Sequence, residues 1–236
     1  MLEPEASTRV PASDTPAPAG PLGPQSLQIL MTEHWSLLAA RSLVYTEAMS
    51  RTSMFIAALT GSVVALALVA QATEFGDGFV AFALVLLPVV YFLGMATVVR
   101  LGQVNFEDAV WVQGMNRIRH AYLELAPELE PYFVTSRHDD DLGILQSAMA
   151  MRSWPGWTQA FVAVPGVVAV VDSVVAGAVG GIAVIGLDLG TLDLGTGTAL
   201  AVGGALFTVS LAGFVTWGRR KMGRGRRTLK PLFPTP

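Results

Sequence analysis

The sequence predicts an all-α, polytopic membrane protein with four transmembrane helices and a cytoplasmic, coiled-coil-like helical domain. Three observations predict it. Four apolar runs, at 54–72, 78–99, about 160–186 and about 196–217, approach or exceed the ~20 residues that cross a ~30 Å hydrocarbon core. All fifteen Lys and Arg lie before the first run, between the second and third, or after the fourth. The short connections at 73–77 and 187–195 carry only Glu74, Asp77, Asp188 and Asp193 as charges. That asymmetry predicts both termini in the cytoplasm and a place in the inner (plasma) membrane of a bacterium. The third observation is an alternating three-and-four spacing of large side chains on either side of the first two runs.

Composition agrees with this class. Hydrophobic residues make up 52% and charged residues 14% of the chain, and mean hydropathy is +0.53. Both are odd values for a soluble domain and ordinary for a membrane one. Zero cysteines excludes disulfides, thiolate metal sites, cysteine nucleophiles and S-acylation. No apolar run begins the chain, so a cleaved signal peptide is not expected.

Residues 1–24 hold six prolines among Ala, Ser, Thr and Gly. Such a stretch buries too little surface to offset its ordering entropy and is expected to be disordered. The spacing Pro18, Pro21, Pro24 could be read by a polyproline-binding partner, but a tether is the favoured reading. From 25 to 126 the expectation is a pre-span helix, TM1, a five-residue turn, TM2 and a cytoplasmic stalk helix. Met31, Trp35, Leu38, Ser42, Tyr45, Met49, Thr52 and Ile56 make the expected seam before TM1. Leu101, Val104, Asp108, Trp111, Met115, Ile118, Tyr122 and Leu125 make the one after TM2. A repeat near 3.5 residues is the pattern of helices that wrap around each other. At ~1.5 Å per residue the stalk reaches roughly 39 Å from the membrane before Pro127 stops it. Asp108 is the misfit in that seam and should face Arg41, a partner chain or water.

A cytoplasmic insert is expected at 127–157, with a loop around 128–136 and a short helix at 142–153 begun by Asp139, Asp140 and Asp141. Trp154 and Trp157 suit the headgroup belt ahead of TM3, as Trp217 does at the end of TM4. The segment 158–218 carries TM3 and TM4, and 219–236 is a basic tail.

Asp172 is the sharpest single residue, since it lies inside an apolar run with no basic residue in any of the four. A central carboxylate costs about 2.5–3.5 kcal/mol on insertion scales, so it should face the bundle interior or water. With Ser173 it is the candidate for an ion or proton site, weighed against a structural carboxylate bonded to a neighbouring helix. If Pro165 breaks the run, the residue sits only about two turns from the cytoplasmic surface. Gly177 and Gly181, with Ala199 and Gly203, are candidate helix-packing positions, within one chain or between chains. Arg219, Arg220, Lys221, Arg224, Arg226, Arg227 and Lys230 begin where the last run ends and could hold the tail to lipid headgroups. Nucleic acid is disfavoured as a partner, because no aromatic is interleaved for base stacking.

His120 and Glu124 stand one helical turn apart, and His138 with Asp139 could complete a metal set if the fold joins them. A charged face of the stalk is the better reading. No P-loop, G-x-S-x-G, H-E-x-x-H or dinucleotide fingerprint occurs, and no cofactor is implied. The block from Asn116 to Phe133, followed by Ser136 to Asp140, resembles uncharacterised bacterial four-span membrane proteins. The layout of residues 25–126, a pre-span helix, tight hairpin and long post-span helix, is similar to the two-span SLATT effector domains of bacterial conflict systems. That architectural resemblance implies an oligomerising membrane effector and assigns no site residues. The reading favoured is a non-enzymatic scaffold or effector that assembles with itself or with a cytoplasmic protein. The alternatives are a small transporter or channel component using Asp172, and a membrane enzyme with its site at the cytoplasmic face.

Overall fold

The computed structural model describes residues 23–148, 163–188, 195–228 and 230–236, and every regular element among them is helical. Among the described residues five α-helices follow one another: α1 (Pro24–Thr73), α2 (Asp77–Leu125), α3 (Asp141–Ala148), α4 (Val164–Asp188) and α5 (Gly195–Thr228). α1, α2, α4 and α5 are each long and apolar enough to cross a membrane. A 3-10 turn at Pro127–Tyr132 follows α2, where Pro127 can neither donate an amide nor let the residue before it stay helical. Of the expected disordered tail (1–24), residues 1–22 lie outside the described residues, as do Trp154, Trp157 and the connection at 189–194, while Gly23 caps α1 and Pro24 opens it.

α1 and α2 are uninterrupted rods of 50 and 49 residues; no Pro or Gly falls between 25 and 60 of α1, and α2 continues through Gly102 just past its apolar run. Pro88 sits within α2 without ending it. α1 closes at Glu74 with a left-handed residue (φ 49°), whose amide bonds back to the Ala70 carbonyl. Phe75 follows at φ 59° and packs edge-on against Phe79, 5.4 Å away, which turns the chain directly into α2.

The two rods run antiparallel along their length. His34 stacks on Tyr122 at 6.0 Å, Arg41 bonds Asp108, Glu47 bonds Arg100, and Phe55 lies beside Gly94. The α2 seam buries Leu101, Val104, Asp108, Met115 and Ile118, as its spacing predicts. On α1 the packed face differs by one residue from the expected one. His34, Leu37, Arg41, Val44, Ala48, Phe55 and Ser62 face α2, whereas Trp35 and Leu38 are 68% and 41% exposed. The reason is local: Asp108 needs a cation, and only by turning α1 about 100° does Arg41 reach it.

α4 packs on both α2 and α5, and α5 packs chiefly on α4. Pro165 does not break α4; it occupies the first turn, where a missing amide costs nothing. Gly177 and Gly203 meet back to back, each so placed that an added Cβ would come within 2.9 Å of the other's carbonyl oxygen. Gly181 stands over the Ala199 carbonyl. The small residues of α4 and α5 therefore close a hairpin within one chain, where contact between chains was an equal possibility from the sequence. α5 also extends past Trp217 to Thr228, so the basic stretch from Arg219 to Arg227 continues the helix. Trp217 itself lies over Gly102 of α2.

Candidate functional site: a closed carboxyl and a tail-binding cleft

Two polar sites stand out, one inside the bundle and one at the far end of α2. The first is Asp172. It is 0% exposed, eight residues into α4, and neither carboxyl oxygen has a hydrogen-bond partner. Gly94 of α2 makes room for it: a Cβ there would overlap the carboxyl and stand 2.8 Å from the Phe55 ring. On its own helix Val168, Ala169 and Val175, within a turn of it, belong to the apolar core, as Phe55 of α1 does. Ser173 points elsewhere, donating to the Ala169 carbonyl at 2.7 Å and meeting Ser210 of α5, which also meets the Tyr91 hydroxyl at 3.2 Å. The candidate pair is thus divided between two environments. Asp172 lines neither of the two cavities found on the bundle surface, the larger of about 280 Å³ near Tyr45 and Pro165 and the smaller of about 230 Å³ near Pro88 and Ser210.

The second site gathers the polar block that the sequence marked as distinctive. Gln113, Asn116, Arg117 and His120 lie on successive turns of α2 and meet the loop 136–140 ahead of α3. Gln113 donates to the Asp139 carbonyl at 2.9 Å, and Asn116, fully buried, donates to the His138 carbonyl at 2.7 Å. The Asn116 oxygen accepts from Arg119 and from Ser147 of α3. Asp140 caps α3 by accepting from the Gly143 amide at 2.8 Å, the task that the three aspartates were expected to share.

Asp139 does something else. It is 0% exposed, and its carboxylate accepts from the amides of Leu232 and Phe233 at 2.7–3.0 Å and from Arg117 at 2.7 Å. Its own amide returns a bond to the Phe233 carbonyl at 3.2 Å. The Phe233 ring stacks on His120 at 3.9 Å, and Arg117 donates to the Lys230 carbonyl at 2.7 Å. Asp140 accepts from the Thr235 amide at 3.0 Å and from the Thr235 hydroxyl. Residues 230–236 therefore lie in a cleft between α2 and the loop before α3. Burial pushes the Asp139 carboxyl up, but the Leu232 amide, Arg117 and the Phe233 amide outweigh it and hold the group below the usual carboxylate range. Asp140 is held low in the same manner, burial opposed by Thr235, the Gly143 amide and nearby His138.

This arrangement separates the residues considered for a metal. His120 approaches Glu124 at 3.5 Å, yet Asp139 is spent on the tail, and among the described residues no three such side chains converge on one point. Of the basic tail, Lys230 gives its carbonyl to Arg117 and Lys221 stands 5.6 Å over the Trp217 ring. The side chains of Arg224, Arg226 and Arg227 lie outside those described. The tail's role at this cleft was not foreseen; the signal available was an apolar pair, Leu232 and Phe233, bracketed by Pro231 and Pro234 after a basic run. No protein-family model, no curated protein and no solved structure matches the chain.

Proposed function

We propose that the protein is a self-assembling, non-enzymatic scaffold or effector of the bacterial inner membrane, with both termini and a coiled-coil-like helical domain in the cytoplasm. The observation that carries this reading is the face of α1 beside the one packed on α2. Met31, Trp35, Leu38, Tyr45 and Met49 recur there at three-and-four spacing, and all are exposed. Arg41 and Asp108 lock the neighbouring face onto α2; Tyr45 and Met49 border a cavity shared with Leu101 and Val104 of α2, and Met31, Trp35 and Leu38 form the open part of the row. Its occupant, in our reading, is the same face of a second copy. Thr32, Ser36, Thr46 and Ser50 flank the row, so two identical copies meet there without like charges in contact. The likeness of residues 25–126 in layout to SLATT effector domains points the same way.

Replacing Trp35 and Leu38 together with Glu puts two carboxylates per copy into that contact and is expected to reduce the assembly to a smaller species. Light scattering of the purified protein in detergent measures it; an unchanged mass with an unchanged helical spectrum would remove the basis for self-assembly through α1. Orientation rests on the placement of all fifteen Lys and Arg on one side of the spans. Cysteines placed at Asp77 and Gly190 are expected to react with impermeant reagents on intact cells, and cysteines at Ser7 and Ser50 only after lysis. Labelling of Ser50→Cys from outside would reverse the topology.

A transporter or channel component using Asp172 is supported less well. A carboxylate that exchanges ions with water needs a route to it, and this one is fully buried with neither oxygen hydrogen-bonded.

A further inference from the structure

The cleft that holds residues 230–236 has the construction of a peptide-recognition site. Its ligand lies on the surface: Leu232 remains 63% exposed and Pro231 and Pro234 are exposed, while Phe233 and Thr235 are partly covered. Little apolar area is therefore at stake, and the segment is held by directed groups. Leu232 and Phe233 amides enter the buried Asp139 carboxylate, the Phe233 ring meets His120, and Thr235 gives its amide and hydroxyl to Asp140. Leu232 and Phe233 form a bend, which turns both of their amides onto the one carboxylate, and Phe233 and Thr235 both reach the cleft. Pro231 and Pro234 fix their own φ and bias the preceding residues toward extended geometry, which lowers the entropy lost on docking. None of these contacts requires that the segment belong to the same chain as the cleft.

We propose that this cleft is a binding site for a bent Leu-Phe-Pro-Thr segment and that it accepts the 230–236 segment of a second copy in place of its own. The proposal rests on the self-assembly reading but not on the α1 face. Exchange of an identical segment conserves every contact, so it costs little beyond the entropy of association. In one chain the segment competes as a tethered ligand, at an effective concentration on the order of mM.

The test uses full-length protein in detergent and a fluorescein-labelled peptide, Lys-Pro-Leu-Phe-Pro-Thr-Pro. The variant Phe233→Asp with Thr235→Ala sets a carboxylate beside Asp139 and removes the bond to Asp140, which empties the cleft without touching its walls. Fluorescence anisotropy is expected to report saturable binding to this variant and at least tenfold weaker binding to the wild type. Peptides with Ala in place of Phe or Thr should fail to compete. With Trp35→Glu and Leu38→Glu in both copies to remove the α1 contact, the emptied variant should also retain a differently tagged copy with the natural tail, and excess unlabelled peptide should release it. No saturable binding to an emptied variant of wild-type helicity, or equal binding of all three peptides, would overturn the site. Retention that excess peptide leaves unchanged would overturn exchange between copies. Repeating the anisotropy with Trp35→Glu and Leu38→Glu in the emptied background separates the two ideas: loss of assembly with intact peptide binding leaves the cleft standing.

Discussion

Gly94→Leu is expected to destabilise the bundle by about 3 kcal/mol, at the upper end of what overpacking a filled core costs. For a chain of this size that corresponds to a fall of roughly 6–12 °C in melting temperature. The position allows no relaxation outward, because a side chain there meets the Asp172 carboxyl on one side and the Phe55 ring, 2.8 Å from the first added carbon, on the other. α1, α2 and α4 would all have to separate. A smaller change isolates the contact: Gly94→Ala is expected to cost less, and Asp172→Ala to remove most of that cost when the two are combined. Such coupling between neighbours is what a double-mutant cycle measures. Thermal melts of the four variants and the wild type in detergent decide it; additive effects, or a Gly94→Leu protein melting within 2 °C of wild type, would mean that the helices do not meet there.

Asp139→Asn is expected to release residues 230–236. The amide keeps one acceptor where the carboxylate offers two, and Arg117 is left beside a neutral group. Hydrogen bonds to a charged group contribute about 1.5–3 kcal/mol each, so losing the charge should cost about 3 kcal/mol, or roughly 150-fold in docked against undocked segment. Hydrogen exchange at the Leu232 and Phe233 amides reads this directly as lost protection. The same measurement carries a pH dependence whose sign follows from the lowered value. The Asp139 and Asp140 carboxyls sit below their ordinary range when the segment is docked. Their contribution is therefore full above the free-carboxyl value of about 4 and is lost as pH falls through the docked one. Protection, corrected for intrinsic exchange, should be flat above about pH 5 and decline below about pH 4. Decline on raising the pH instead would show that some other group governs docking.

The four apolar helices were legible because each run spans a bilayer's thickness in one sequence interval. The α2 seam was legible too, since its polar member, Asp108, had Arg41 on α1 to find, Arg51 being matched by Glu47 one turn before it. The α1 face was not. Choosing the largest apolar residues selects Trp35 and Leu38, but in a two-helix contact set by an ion pair the packed face follows Arg41 and takes small Ala48 and Ser62 with it. The depth of Asp172 was undetermined while Pro165 could either break the helix or begin it. At the cleft, spacing had marked Asn116 through His120 and Ser136 through Asp140, but their meeting point depends on a segment more than ninety residues further on. Local periodicity carries no information about such a partner.

The uninterrupted length of α2 has a mechanical consequence. Gly94, against Asp172, and Arg117, against the docked segment, belong to one helix without a hinge between them. Twenty-three residues at ~1.5 Å place them about 35 Å apart on a single lever. A tilt of about 10° pivoting at Gly94 would swing Arg117 by about 6 Å, twice the reach of a hydrogen bond. Thickening or thinning of the surrounding bilayer tilts long helices by such amounts. Because Gln113 and Asn116 fasten the loop before α3 to the same rod, such a tilt would carry the whole wall of the cleft with it, and residues 230–236 would have to follow.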